Sequence, residues 1–277
     1  MDVQEMHLLP NHQVVTDRFV AACQADERVV AAFLAGSYAM GAADAHSDLD
    51  LGLIATDEAY ETFFAEREAF IRRLGEPLFL EDFGSPHTTF IIFSNGAEVE
   101  LGIGRVGRFK QIHSGPYITL LDKTGILNDV VFPQPEADPA EQIEALRRLI
   151  AVFWHDLSHF ATALARGQLW WAHGQLEVLR LICVNLARLR HNFADAFAGE
   201  EGYFKVEKAL PAEQLAPLQA TCCPLEPGAL LQSALIIVRF YRDMAQPLAQ
   251  THDLAYPAEL DRVMVERLEK LGQAGLK

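Results

Sequence analysis

A chain of 277 residues can bury roughly 70–75% of the surface it exposes when unfolded, which excludes a staple-dependent scaffold and allows one large domain or two modest ones. Half of the residues are hydrophobic and 22% are charged, the balance of an ordinary globular protein. A formal charge of −15 repels polyanions, so a general nucleic-acid binder is excluded, whereas cationic small molecules are attracted. Cys23, Cys183, Cys222 and Cys223 form no CxxC pair and have no zinc-ligand spacing, which fits a reducing compartment. The acidic opening from Met1 to Pro10 lacks a basic leader region, and no uncharged apolar stretch approaches the ~20 residues of a membrane span. A cytoplasmic protein with no membrane anchor is expected.

Up to about residue 130 short β-rich runs alternate with single amphipathic helices. Val14 to Ala25 is a predicted helix, and Val29 to Ala35 and Asp48 to Thr56 are strands. One helix is expected over Asp57 to Leu74. Pro77 to Glu81, Thr88 to Ser94 and Glu98 to Ile103 follow as strands, the last two joined by an Asn95-Gly96 hairpin turn. Tyr117 to Leu121 adds an edge strand. The prolines between Phe132 and Pro139 mark a linker. Beyond it, helical spacing predicts Ala140 to Arg166, Leu169 to His191, Gly228 to Ala249 and Pro257 to Leu271, with shorter pieces between Gly199 and Ala220. Arg166-Gly167 turns the first two into an antiparallel hairpin. The expected fold is α+β, with a mixed-sheet domain over residues 1–134 and an all-helical bundle over 135–277.

The chemistry is concentrated where the first strand runs into Gly36-Ser37, followed after ten residues by Asp48-Leu49-Asp50-Leu51. Side chains two apart in a strand share a face, so Asp48 and Asp50 project together while the leucines anchor the other side. Two adjacent carboxylates repel unless a cation lies between them, and hard oxygen ligands suit magnesium. Gly36-Ser37, leading into a short helix at Tyr38 to Gly41, offers backbone N–H groups and a hydroxyl to phosphate. Ser47, next to Asp48, is grouped with these nucleotide-binding residues. Glu100, between two apolar residues on a later strand, supplies a third carboxylate, with Glu98 on the same face as its rival. Together these acids could hold two Mg²⁺ ions about 3.5–4 Å apart, an arrangement that suits nucleotidyl transfer. Arg105, Arg108 and Lys110 follow closely, either as a triphosphate clamp or as a solvated loop face.

This order, Gly36-Ser37, then Asp48-x-Asp50, then Glu100 on a strand, resembles the DNA polymerase beta superfamily of nucleotidyltransferases. The succession of a catalytic and a helical domain is similar to its lincosamide and aminoglycoside nucleotidyltransferases, as are Ser114 to Gly125 and the Arg166 to Arg180 hairpin. The turn after Ser37 departs from the pattern in lacking a basic residue, and the third acid is Glu where Asp is commoner. The resemblance implies transfer of AMP, from ATP as nucleoside triphosphate co-substrate, to a hydroxyl of a small acceptor, with release of pyrophosphate. It also implies a possible homodimer and a general base in the helical domain, for which Glu177 is the candidate and a salt bridge with Arg180 the competing role. The charge favours a cationic acceptor such as an aminoglycoside or lincosamide, with no nucleic-acid and no membrane partner. The alternatives are a nucleotide-binding sensor without turnover and a nucleotidyltransferase that modifies proteins. Trp170 and Trp171 could stack on an acceptor or simply pack. His155, Asp156 and His159 lack the glutamate of HExxH and are expected to be a satisfied cluster.

Overall fold

The computed structural model describes residues 7–132, 138–193 and 202–273. The chain divides into two compact units, Met1–Pro135 and Glu136–Lys277. The expected domain boundary at 134/135 and residues 133–137 of the linker lie outside the described residues.

In the first unit α1 (Pro10–Ala25) precedes β1 (Val29–Leu34), α2 (Gly36–Ala39) and β2 (Leu49–Ala55). Then come α3 (Tyr60–Ala65), α4 (Arg67–Leu74), β3 (Pro77–Glu81), β4 (Thr88–Phe93), β5 (Glu98–Arg105) and β6 (Ile118–Asp122). The strands form one mixed sheet in the order β3-β4-β5-β2-β1-β6, in which β2 and β5 are parallel and every other pair is antiparallel. Strand alternation sends Leu49, Leu51, Leu53, Val99, Leu101 and Ile103 into a core with Phe19, Phe63, Phe70 and Leu74 of the helices. Ala31, Phe33 and Ile54 point the other way and pack with Phe109, Leu127 and Phe132.

Three local outcomes differ from the sequence pattern. The helix expected over Asp57 to Leu74 is two helices: Glu66 leaves the helical path, and its carboxylate accepts from Arg28 Nη1 at 2.7 Å. Asp57 lies outside both helices and accepts from the Gly107 N–H at 3.1 Å. Strand β2 begins at Leu49, leaving Asp48 at its mouth.

The second unit contains α5 (Pro139–Ala165), α6 (Leu169–His191), α7 (Val206–Ala209), α8 (Ala212–Gln219), α9 (Pro227–Thr251) and α10 (Ala258–Gln273). Asp138 caps α5 by accepting from the Ala140 N–H at 2.8 Å. Gly167, at φ +66°, makes the left-handed turn into α6. Phe153 and Tyr241 stack inside this bundle, and the Tyr241 hydroxyl donates to the Ile150 carbonyl at 2.9 Å. No described helix is long and apolar enough to cross a membrane.

Gly52 is where the site-bearing strand is packed most tightly. A Cβ there would lie 2.1 Å from Phe33 Cζ. Gly52→Ala should therefore destabilise the protein by about 1–3 kcal/mol, read as a lower urea midpoint at unchanged slope. Adding Phe33→Leu should return part of that loss; an additive double variant would show that the ring is not the obstacle.

Candidate active site

The chain leaves β1 through Ala35, whose N–H donates to the Asp50 carbonyl at 2.9 Å, and turns at Gly36 with φ +58°. A Cβ on Gly36 would stand 1.7 Å from Asp50 Oδ2, so glycine is required both by the backbone angle and by the carboxylate pressed against it. The next hydroxyl, Ser37 Oγ, is buried and has no hydrogen-bond partner among the described residues. An unpaired buried hydroxyl is costly unless a ligand or water completes it. Tyr38 turns inward and meets His12 Nδ1 at 2.8 Å through its hydroxyl.

Register brings the acids together. In the parallel pair Asp50 lies beside Glu100, and Leu49 beside Val99. Asp48 precedes Asp50 on the same face, as Glu98 precedes Glu100. Asp50 and Glu100 line a cavity of about 150 Å³ with Gly36, Phe33, Thr88 and His113, and neither Asp48 nor Glu98 is among its walls. Partial withdrawal from water, followed by the charge of Asp48, pushes the Glu100 carboxyl above the usual glutamate range. As the side chains stand, no three Asp, Glu, His or Cys groups among the described residues converge on one metal position. The donors that do adjoin, Asp50 and Glu100 with Asp48 one pleat away, are all hard oxygens, the set that suits magnesium.

The remaining candidates lie apart from this group. Ser47 braces its own loop, with its hydroxyl accepting from the Asp44 N–H at 2.9 Å. Arg105 is five residues beyond Glu100 and so points to the opposite face, where its guanidinium lies 3.8 Å from Glu61 and 5.5 Å from the Tyr60 ring centroid. Arg108 and Lys110 are exposed, and neither lines the carboxylate cavity. Glu177 is held by Arg180, which also donates to Thr221 Oγ1 at 2.7 Å; its carboxylate thus braces helical structure. His155 bonds Asp156 at 2.8 Å, and its ring lies tilted at 4.3 Å from that of His159. Trp170 is 80% exposed and Trp171 37%. Sequence reasoning missed His12, Thr88 and His113. No local pattern links residue 12 to residue 38, and the helix carrying His12 starts four residues earlier than its apolar periodicity suggests.

The chain matches the family described as streptomycin adenylyltransferase over residues 10–271. It belongs to that family. The protein is accordingly a nucleotidyltransferase, and the Gly36 to Glu100 constellation lies inside the matched region. Among solved structures, the aminoglycoside 6-adenyltransferase from Bacillus subtilis is similar at 15% identity and a TM-score of 0.42, covering 95% of this chain and 99% of that one. A nucleotidyltransferase-like protein from Exiguobacterium sibiricum 255-15 is similar at 10% identity and a TM-score of 0.32, over 84% of this chain and 74% of its own. No curated protein matches the chain.

The raised pKa of Glu100 has a definite sign in stability. The folded state holds this proton more tightly than the unfolded state, so stability falls as pH rises through the interval between the two values. In metal-free buffer, Glu100→Gln should raise the urea midpoint at neutral pH and leave it unchanged below the ordinary glutamate value of 4.5. Equal midpoints at neutral pH would show that the charge is not strained there.

Proposed function

We propose that the protein transfers AMP from ATP to a hydroxyl of a cationic, aminoglycoside-like acceptor. The observation that carries this reading is Asp50 registered beside Glu100, with Gly36 against Asp50 and the unpartnered hydroxyl of Ser37 next in the chain, in a chain of the streptomycin adenylyltransferase family. The acceptor oxygen forms a bond to the α-phosphorus as the bond to the bridging α–β oxygen breaks. Pyrophosphate departs, and the hydroxyl proton is released to solvent.

Each residue has a distinct task in this reading. Ser37 Oγ donates to a phosphate oxygen, satisfying a group otherwise left orphaned. The missing side chain of Gly36 lets the phosphate chain approach the backbone where a Cβ would collide with Asp50. Asp48, Asp50 and Glu100 would hold two Mg²⁺ ions, with Glu100 taken over Glu98 because it lines the cavity. Bound there, magnesium supplies positive charge to the attacking and leaving oxygens. The work left to the chain is alignment and charge placement. Glu177 has no part in this assignment, since Arg180 occupies its carboxylate. The mixed-sheet unit is the catalytic domain in this reading, and the helical unit contributes acceptor binding and a homodimer contact.

The acceptor class follows from charge. The net charge of −15 on the chain favours a polyamine-bearing acceptor over a neutral one.

The test is pyrophosphate release from ATP and Mg²⁺ with a panel of aminoglycosides and lincosamides. Turnover should appear with an aminoglycoside, and Asp48→Asn, Asp50→Asn and Glu100→Gln should each reduce it by about a hundredfold or more. Wild-type turnover in all three variants would refute the assignment. Labelling of protein bands by labelled ATP, without any small-molecule product, would show that the acceptor is a protein.

A further inference from the structure

Strand β5 runs past the start of its neighbour β4. The last hydrogen bond between them is from the Ile103 N–H to the His87 carbonyl at 2.8 Å, and Gly104 and Arg105 continue with only β2 beside them. Next to this open edge lies a hollow of about 340 Å³, against about 150 Å³ for the carboxylate cavity. It falls within the roughly 300–1,000 Å³ of small-molecule sites, and the carboxylate cavity does not.

The chemistry of its walls is opposite in sign. Arg105 and Arg108 bring two guanidinium groups, with His87 and Gln111 beside them, against one carboxylate, Glu61, whose side chain is 84% exposed. Elsewhere in this unit Arg28, Arg67, Arg72 and Arg73 each close on a carboxylate within 3.3 Å. Arg105 approaches Glu61 only to 3.8 Å, and the Arg108 guanidinium has no hydrogen bond or ion pair with another described residue. The apolar wall is aromatic: Tyr60 and Phe64 stack at 5.9 Å and 24° between planes. Tyr60 is buried, whereas Phe64 is half-exposed.

We propose that this hollow, which adjoins the carboxylate cavity across their shared wall Ile112, is a second binding site, for a small phosphorylated aromatic molecule. The arginine forks receive the phosphate, and the aromatic wall receives the ring. Near Asp50 and Glu100 such an anion needs a cation to offset repulsion. In the hollow it needs none, so binding independent of metal is the property that sets this site apart. The proposal does not depend on the catalytic reading.

Isothermal titration of the full chain in EDTA tests it, with AMP, inorganic phosphate and adenosine as probes. AMP should bind, phosphate and adenosine should each bind at least about tenfold more weakly, and Arg108→Ala should weaken AMP by about tenfold. Asp50→Asn should leave the AMP affinity in EDTA unchanged, and amide shifts on adding AMP should fall over residues 60–64 and 104–111. Absence of AMP binding at millimolar concentration overturns the site, as does affinity unaltered by Arg108→Glu. Phosphate binding as tight as AMP overturns the aromatic component, and loss of binding in Asp50→Asn places AMP at the carboxylates instead. Pyrophosphate release with Mg²⁺, measured on the same preparations, reports separately on catalysis.

Discussion

The parallel pairing of β2 with β5 is the constraint on which the site depends, because its register sets Asp50 beside Glu100 and Asp48 one pleat away. Two unit charges about 4 Å apart repel by about 1 kcal/mol in water and about 4 kcal/mol at an effective dielectric of 20. That is a sizeable share of the 5–15 kcal/mol by which a domain of ordinary stability, roughly speaking, exceeds its unfolded state. The register is held from behind. Leu49, Leu53, Val99, Leu101 and Ile103 are fully buried on the opposite face, and slipping by one residue would turn them to solvent. The hydrophobic face fixes the acids where their own repulsion would separate them, while the raised pKa of Glu100 reflects first its withdrawal from water and then the charge of Asp48.

The same face is concave because side chains are missing from it. Gly36 yields its place to the Asp50 carboxylate and Gly52 to the Phe33 ring. At Gly102 a Cβ would meet nothing closer than the Leu51 carbonyl at 3.7 Å, so the absent side chain there leaves open space beside Glu100. Glycine serves three ends along this surface: a left-handed turn, a seat for an aromatic ring, and an opening in the floor.

What could be read from the sequence was local. The strands, the Asn95-Gly96 hairpin and the bundle helices follow from periodicity and turn residues, and the Gly-Ser turn with Asp-x-Asp stands out because its members are close in the chain. The long-range facts were hidden. Nothing in residues 48–50 or 98–100 announces that they pair in parallel, so the sequence favours Glu100 with Glu98 as its rival, and it is the register that sets Glu100 beside Asp50 in the cavity wall. Arg105 misleads for a related reason: five residues along a strand means the opposite face and a displacement of about 16 Å, so nearness in sequence to Glu100 is distance in space. The break at Glu66 depends on Arg28, and the place of His12 depends on Tyr38, partners that helical periodicity does not contain.

The separation of the arginines from the acids also shapes the chemistry available. Among the described residues no Lys or Arg lines the carboxylate cavity, and the turn after Ser37 reads Tyr38-Ala39-Met40-Gly41. A triphosphate brought to these carboxylates, with no basic side chain among the described walls of their cavity, meets repulsion from every ionised neighbour there. On the proposed reading, its charge is neutralised from outside the chain, by divalent metal and by the cationic acceptor itself. On that reading acidity and acceptor preference have one origin: a cavity with no arginine among its described walls favours the substrate that carries the positive charge with it.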